Sequence, residues 1–353
     1  MLNWRLLIAV VLTAVCGNLP DASAKPLDLK DVSADAGWLG HLDFDAMRES
    51  TVVQKMMEQQ KHKKRMAFAV KMLGMNPEQD LHGMTFYGNE TGKHTGVMIL
   101  HAKVDRDRVM GMAKMIPSRE VTKHREHEIH QWTHKSRHGS RNRTVAAAFY
   151  GDEWIVFASS IDLLKTAVDV LDGKAPSLTN DSSLAGNIPA GTTMLMRAEG
   201  LSDAELPDKC KLARQTKSFR FVTGEHDGQS FYRSRAEMTN KEVASQVQEL
   251  VEGLRALGQI HVGDNESGRK LVDDLRVKTN GTTVSVLWKG PASDVWTMIE
   301  THKKIFKEKM EKCRKRYGDG HHDHWHKRWH DRYKDKKKGE PKKEKGVAPE
   351  EDF

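Results

Sequence analysis

The sequence predicts an α+β protein of two similar halves, each an antiparallel-rich sheet with helices packed on one face. Runs rich in β-branched and aromatic residues recur in pairs, each pair joined by a Gly-containing turn. A segment with apolar residues at three- and four-residue spacing, typical of an amphipathic helix, follows each pair. The same order of segments appears twice along the chain, which predicts the two halves.

The first half opens with a strand, "GWLGHLDF" at residues 37–44. A helix is predicted next, over residues 50–73, with Ser50 as its N-cap. Two strand pairs follow, each with its own helix. They comprise strands 81–88 and 95–104 with helix 105–116, then strands 143–150 and 154–160 with helix 161–173.

The second half opens with the strand "TTMLMRAEG" at residues 192–200 and a helix predicted over residues 202–216. Its strand pairs comprise strands 218–225 and 229–238 with helix 240–257, then strands 275–279 and 282–288 with helix 293–306. Asn280-Gly281, between the last two strands, favours a two-residue type I′ turn, because that turn needs positive φ at both central residues.

Equivalent residues indicate an internal duplication. Phe86 and Phe219 are separated by 133 positions, and Val145 and Val277 by 132. The alternative is that four hairpin–helix units arose without duplication. A segment rich in Pro, Gly, Ser and Asn predicts a linker at residues 175–190. The domains predicted on this basis are a first half at 25–174, a second half at 191–316 and a tail at 317–353.

Residues 1–24 have the pattern of a secretory signal peptide. A charged start at Arg5 precedes an apolar run over residues 6–15, and Ala22-Ser23-Ala24 is a small-x-small cleavage signal. This predicts an exported protein, periplasmic or secreted, whose mature chain begins at Lys25. No later run of apolar residues is long enough to predict a transmembrane segment after signal cleavage.

Two alternatives involve cysteines. Cys16 in a lipoprotein signal would leave the chain tethered to a membrane, although Val15 and Thr13 fit that motif poorly. Cys210 and Cys313 remain after cleavage. An exported compartment permits a disulfide between them, and two free packed thiols are the alternative.

Positive charge is concentrated near the C-terminus. The chain carries a net charge of +8, and residues 307–345 alone contain sixteen Lys/Arg and eight Asp/Glu. The basic character therefore belongs to the tail, which is predicted to be helical or disordered. Such a tail is a candidate tether to an anionic polymer or membrane surface, and no motif predicts a specific nucleic-acid partner.

Histidines form two clusters, and neutral imidazole is a common ligand for Zn, Cu and Ni. The clusters comprise His321, His322, His324, His326 and His330 in the tail, and His124, His127, His130, His134 and His138 in the first half. On a helix, the tail histidines at 322, 326 and 330 would form one ridge. In a strand, Glu128, His130, Trp132 and His134 would share a face. A solvated basic tail and a polar edge hairpin are the alternatives without function.

No catalytic signature is recognisable. "GNETGKH" at residues 88–94 lacks the spacing and the Ser/Thr of a phosphate-binding loop. "HEIH" at residues 127–130 is one residue short of the zinc-protease motif, and its surroundings favour a strand. Asp43 and Asp45 are two residues apart at a strand end, which could bring both carboxylates to one face. A solvated strand end or a helix cap is the favoured interpretation. The sequence favours a protein that is not an enzyme.

The layout resembles exported bacterial proteins of unknown function. The resemblance lies in "LDFDAMRES", "MNPEQDLHGMTFYG" and "LLKTAVDVLDGKAPSL", and it covers residues 36–306 without the tail. It implies an exported α+β protein and carries over no catalytic residues. The predicted function is an exported cell-envelope protein whose His-rich tail binds transition metal. The alternative is a structural or surface-interaction protein that uses the basic tail as a tether.

Overall fold

The structure is a computed structural model. It describes a chain with several gaps, over residues 26–58, 70, 74–90, 96–135, 142–204, 210–263 and 265–317. The predicted signal peptide and the tail histidines lie outside the described residues.

Twelve strands occur in the described part of the chain. In chain order they are β1 (Trp38–Asp43), β2 (Leu81–Gly88), β3 (Val97–Ala102), β4 (Glu120–His124), β5 (His127–Lys135), β6 (Asn142–Tyr150), β7 (Trp154–Ala158), β8 (Thr192–Glu199), β9 (Thr216–His226), β10 (Gln229–Met238), β11 (Arg276–Asn280) and β12 (Thr283–Pro291).

After a short 3-10 turn at Leu29–Asp31, nine α-helices occur in the same described ranges. In chain order they are α1 (Phe44–Glu49), α2 (Thr51–Glu58), α3 (Pro77–Asp80), α4 (Arg106–Lys114), α5 (Ile161–Leu171), α6 (Lys211–Arg214), α7 (Lys241–Val262), α8 (Glu266–Asp273) and α9 (Ala292–Tyr317). Ser50 separates α1 from α2 and caps α2, because its Oγ accepts a hydrogen bond from Val53 N at 3.3 Å. The helix predicted over residues 202–216 is described only as the single turn α6.

All twelve strands belong to one antiparallel sheet, in the order β11-β12-β10-β9-β8-β1-β2-β3-β7-β6-β5-β4. The α+β class is therefore confirmed, but the strands do not form two separate sheets as predicted. The reason is the pairing of the two opening strands, β1 and β8, which runs from Trp38↔Ala198 to Leu42↔Met194. We call β1 to β7 the first side of the sheet and β8 to β12 the second side.

The hairpin turns differ from the prediction in one respect. Asn280 pairs with Thr283, so the last hairpin turns at Gly281-Thr282, and Gly281 has a φ of 61°. Positive φ at the first central residue alone is the pattern of a type II′ turn. The two residues with positive φ that a type I′ turn requires occur instead at Asp227-Gly228, between β9 and β10.

On the first side, β3 and β7 are buried on both faces, whereas helices on one face were predicted; β4, at the edge, is exposed. Successive residues of a strand point to opposite faces. Val156 of β7 packs in a core that includes Leu164 and Val168 of α5, and its neighbour Ile155 packs in another that includes Phe44 of α1. Helices therefore lie on both faces, because strands such as "WIVFA" are apolar at every position.

The second side has a smaller core, which forms where Val243 and Ala244 of α7 pack against Met238 and Val284. Beyond it the strands alternate between half-buried and exposed residues. On β10, the exposed side chains are Arg233, Arg235 and Glu237. These charged positions face solvent because no apolar layer packs on them, as expected for a half-buried strand.

The predicted linker at residues 175–190 packs against the body. Ser33 and Ser177 form an isolated β-bridge, and Leu178 and Leu184 are buried in the core that contains α5. By compactness, the chain divides after Thr297, within α9. The later residues of α9, 298–317, belong to a second unit.

Candidate functional site

The first histidine cluster lies on a hairpin at one edge of the sheet. His124 ends β4 and His127 begins β5, and the two residues are Cα partners. The Nε2 atom of His124 lies 2.9 Å from Asp169 Oδ1, and that of His127 lies 3.3 Å from Asp172 Oδ1. Both aspartates lie at the C-terminal end of α5. Each histidine thus contacts a carboxylate on the helix that covers this face.

Arg125, at the tip of this hairpin, reinforces the same contact. Its Nε donates a hydrogen bond of 2.6 Å to Asp169 Oδ1. This hydrogen bond, with a further contribution from His124, lowers the pKa of the Asp169 carboxyl below its usual range. Asp169 is therefore held in its charged form between two cationic or protonatable groups.

His130 points the other way. It lies three residues after His127 in the same strand, so it projects from the opposite face. It is buried, and its Nδ1 atom lies 3.3 Å from Arg119 Nη2. Burial and the Arg119 charge lower the pKa of its imidazole.

The cluster is therefore divided between two faces of the sheet. His134 is in β5, but its side chain lies outside the description, as do His138 and the five tail histidines. Over the described ranges, no three His, Cys, Asp or Glu side chains converge to hold a metal ion. Cys210 is a free thiol.

His127 is also one end of a row of five rings that crosses five neighbouring strands. The rings, in order, belong to His127 (β5), Tyr150 (β6), Trp154 (β7), His101 (β3) and His82 (β2). Successive ring centroids are 5.3, 6.0, 5.6 and 5.1 Å apart. These distances are those of stacked and tilted aromatic pairs, which contribute stability beyond the burial of area. We call this set the ring row.

Carboxylates contact the histidines at the inner end of the ring row. His82 Nδ1 lies 3.1 Å from Asp45 Oδ1, and His101 Nε2 lies 3.3 Å from Glu153 Oε2. Asp45 is buried and also forms an ion pair with Arg48. Burial, followed by the Arg48 charge, lowers the pKa of His82. The neutral form of the His82 imidazole is therefore favoured, next to the Asp45 carboxylate that forms an ion pair with Arg48.

Two titratable side chains lie next to the ring row on β1, the central strand. His41 is 5% exposed, its Nδ1 lies 2.9 Å from Thr85 Oγ1, and burial lowers its pKa to about 4. Asp43 is 8% exposed and accepts a hydrogen bond from Ala46 N as the N-cap of α1. Burial raises its pKa to about 6, against the opposing effect of that hydrogen bond.

The Asp–His contacts of this region orient the imidazole rings, and a pKa of about 6 lets the Asp43 carboxyl take up a proton under mildly acidic conditions. It was missed in the sequence apart from His127 and the Asp43–Asp45 pair. The available signal was a polar or aromatic ring near the same end of three apolar strands, at His82, His101 and Trp154. Recognising it requires the strand order, because β3 and β7 are neighbours only through a crossover.

Comparisons with known proteins add little. No family model and no curated protein matches this chain. Among solved structures, crystal form III of TP0453 matches with a TM-score of 0.39 and 7% identity, over 79% of this chain and 100% of that one. Crystal form I of TP0453 matches with a TM-score of 0.39 and 8% identity, over 79% and 99%. At this level of similarity nothing about the present chain is inferred from them. Among the described helices, none is both long enough and apolar enough to cross a membrane.

Proposed function

We propose that this chain is an exported, non-enzymatic protein of the cell envelope that takes up transition metal through its C-terminal tail. The observation that carries the proposal is the spacing of the tail histidines. Five fall within residues 321–330, and those at 322, 326 and 330 follow the repeat of one helical face. Neighbouring imidazoles at that spacing suit Zn, Cu or Ni.

The contacts of the first cluster support assigning the metal to the tail. His124 and His127 each contact an aspartate of α5, and His130 contacts Arg119 on the other face. A metal ion bound at the hairpin would have to displace these contacts or join histidines from opposite faces of a strand. The tail histidines are therefore the better candidates.

The experiment is a calorimetric titration with Zn²⁺ on the mature protein and on a variant truncated after Gly318. We expect binding at pH 7.5 by the mature protein alone, weakening as the pH falls through about 6.5, where imidazole takes up a proton. Replacing His322, His326 and His330 with Gln should abolish it. Equal affinity in the truncated variant would assign the metal to the first cluster, at residues 124–138, instead.

A second candidate function is a tether to an anionic surface. The observation that favours it is the basic composition of the C-terminal part of α9 and of the tail that follows. Replacing Lys334, Lys336, Lys337 and Lys338 with Gln should weaken binding to polyanions and anionic vesicles, with metal uptake unchanged. Such binding should also fall steeply between about 50 and 200 mM salt.

We also infer that the two sides of the sheet arose by internal duplication. From the centre outwards, the first side runs β1-β2-β3-β7-β6 and the second runs β8-β9-β10-β12-β11, with β4 and β5 as an added hairpin. The predicted equivalents agree with this order, since Phe86 and Phe219 are in β2 and β9, and Val145 and Val277 are in β6 and β11. A rotation of half a turn about an axis between β1 and β8 should superimpose these strands. A different placement of β6 and β11 would contradict the inference.

A further inference from the structure

The C-terminal part of α9 combines exposed apolar side chains with a high positive charge. Residues 298–317 contain eight Lys/Arg and three Glu, a net charge of +5. Phe306 is 67% exposed, and Ile305 and Met310 are also exposed. Large apolar side chains grouped on an exposed surface mark an interaction site more often than isolated ones do.

The helical repeat arranges these residues in bands. With 3.6 residues per turn, Ile299, Phe306 and Met310 fall along one narrow stripe of the helix. Lysines border the stripe on both sides, with Lys303 and Lys307 along one edge and Lys309 along the other. Ile305 lies farther round the helix, beyond Lys309.

The acidic residues fall on the far side of the helix. Glu300, Glu308 and Glu311 all lie there, together with Lys304 and Lys312. A helix with an apolar stripe, cationic borders and a back of mixed charge has a preferred orientation toward an anionic layer with an apolar interior. Lysine stems can lie along such an apolar layer while the ammonium groups reach the headgroups.

We propose that residues 298–312 of α9 lie in the surface of an anionic lipid bilayer, with Phe306 and Met310 inserted between the headgroups. The proposal rests on the tether function and identifies an anionic lipid bilayer as the surface to which the protein is tethered. Charge complementarity is provided by the bordering lysines Lys303, Lys307 and Lys309. A soluble polyanion would engage the same lysines, but it offers no apolar layer for the stripe between them. The amphipathic pattern therefore favours lipid over polymer.

A second exposed stripe, on α7, provides a matched control. Leu250, Leu254, Leu257 and Ile260 are exposed along that helix. Its 22 residues contain two Lys/Arg and three Glu, so it has apolar exposure without positive charge. Insertion driven by apolar exposure alone would involve both helices, whereas insertion that needs charge complementarity would involve α9 alone.

The experiment measures co-sedimentation of the full-length mature protein with vesicles. The vesicles are either phosphatidylcholine alone or an equimolar mixture of phosphatidylglycerol and phosphatidylcholine. We expect binding to the anionic vesicles and little to the neutral ones. The double variant Phe306→Gln/Met310→Gln should bind at least about tenfold more weakly, because it removes the inserted side chains.

The charge variant Lys303→Gln/Lys307→Gln/Lys309→Gln should bind anionic vesicles about a hundredfold more weakly, from the typical contribution of each lysine near such a surface. The control Leu254→Gln/Leu257→Gln in α7 should bind like the unchanged protein. Circular dichroism should show unchanged helix content in all three variants, since Gln is a good helix former.

Three outcomes would overturn the proposal. Loss of vesicle binding in the α7 control would show that α7, and not α9, contacts the bilayer. A second outcome is that the lysine variant binds more weakly and Phe306→Gln/Met310→Gln does not, with vesicles and with heparin, a soluble polyanion. That result would indicate a tether to polyanions without insertion into the bilayer. The third outcome is that both α9 variants bind vesicles normally, whereas replacing Lys334, Lys336, Lys337 and Lys338 with Gln abolishes binding. The tether function would then belong to the tail alone, without α9.

Discussion

The two sides of the sheet follow the same strand order from the centre but are stabilised differently. On the first side, β3 and β7 are apolar at consecutive positions and are covered by helices on both faces. On the second side, β10 alternates and exposes Arg233, Arg235 and Glu237 on one face. Strand order therefore does not determine burial. What determines it is whether the sequence of each strand provides one apolar face or two.

The largest expected effect concerns the strand where the two sides meet. In the unfolded chain the pKa of His41 returns to 6.5 and that of Asp43 to 3.8, against about 4 and about 6 in the fold. As the pH falls from 6.5 to 4, His41 is protonated in the unfolded state but stays neutral in the fold. This difference lowers the free energy of unfolding. Over nearly the same range the folded state takes up a proton at Asp43, which raises stability. The two effects, each about 3 kcal/mol, should nearly cancel.

Single variants should reveal each half of this balance. Asp43→Asn keeps the cap of α1 and should raise the free energy of unfolding by about 3 kcal/mol at pH 7.5, with the gain vanishing by pH 4. His41→Gln should show the opposite trend, becoming more stable relative to the unchanged protein as the pH falls. Urea unfolding at several pH values measures both. Differences that do not change with pH would show that neither group titrates as inferred.

The comparison of the two sides is tested most directly by buried valines on corresponding strands. Val156 of β7 is fully buried in the large two-faced core, and Val284 of β12 is 2% exposed in the small one. We expect Val156→Ala to cost about 2.5 kcal/mol and Val284→Ala about 1.5 kcal/mol, because a site with fewer packed neighbours relaxes more easily around the lost methyl groups. Chemical denaturation gives both values. Equal losses would mean that the second core is packed as tightly as the first.

A smaller effect is expected at a contact that joins the two sides. Glu225 of β9 accepts hydrogen bonds from Thr51 N at 2.9 Å and from Ser50 Oγ at 2.7 Å, at the N-terminus of α2. Burial alone would raise the pKa of its carboxyl, but these hydrogen bonds lower it overall. Glu225→Gln should cost about 1 kcal/mol at pH 7 through loss of charge at a helix N-terminus.

The pH dependence distinguishes this electrostatic cost from a packing defect. A carboxyl whose pKa is lowered in the fold contributes stability above its unfolded pKa of 4.5, and it loses that contribution as the pH falls further. The cost of Glu225→Gln should therefore shrink below pH 4.5 in the same unfolding measurements. A cost that persists at pH 3 would point to altered packing.

The smallest effect is expected on α7, a single helix that contains both buried and exposed apolar residues. Leu257 is 63% exposed, whereas Val243 is buried against the sheet. Leu257→Gln should change the free energy of unfolding by less than about 0.5 kcal/mol, as expected for an exposed position. Val243→Ala serves as the sensitive control. A large loss at Leu257 would show that this stripe is covered in solution.

Local patterns in the sequence were sufficient to predict ten of the twelve described strands, six of the nine described helices and the α+β class. The polar hairpin β4–β5 was recognised only as residues of strand type. Hairpins depend on neighbouring residues, so pairs such as β9–β10 could be recognised from alternation and Asp227-Gly228. The single sheet could not be predicted, because the β1–β8 pairing joins residues such as Leu42 and Met194 that no local pattern connects. The ring row was missed for the same reason.

The position of β1 has a consequence for the order in which the protein folds. This strand is buried, yet one of its two neighbours, β8, is made only after about half of the chain has followed it. Until β8 arrives, β1 has one free edge, and such an edge can pair with the wrong strand. We therefore expect the first side to collapse early around α5 and the closing of β1 against β8 to be a slow, late step.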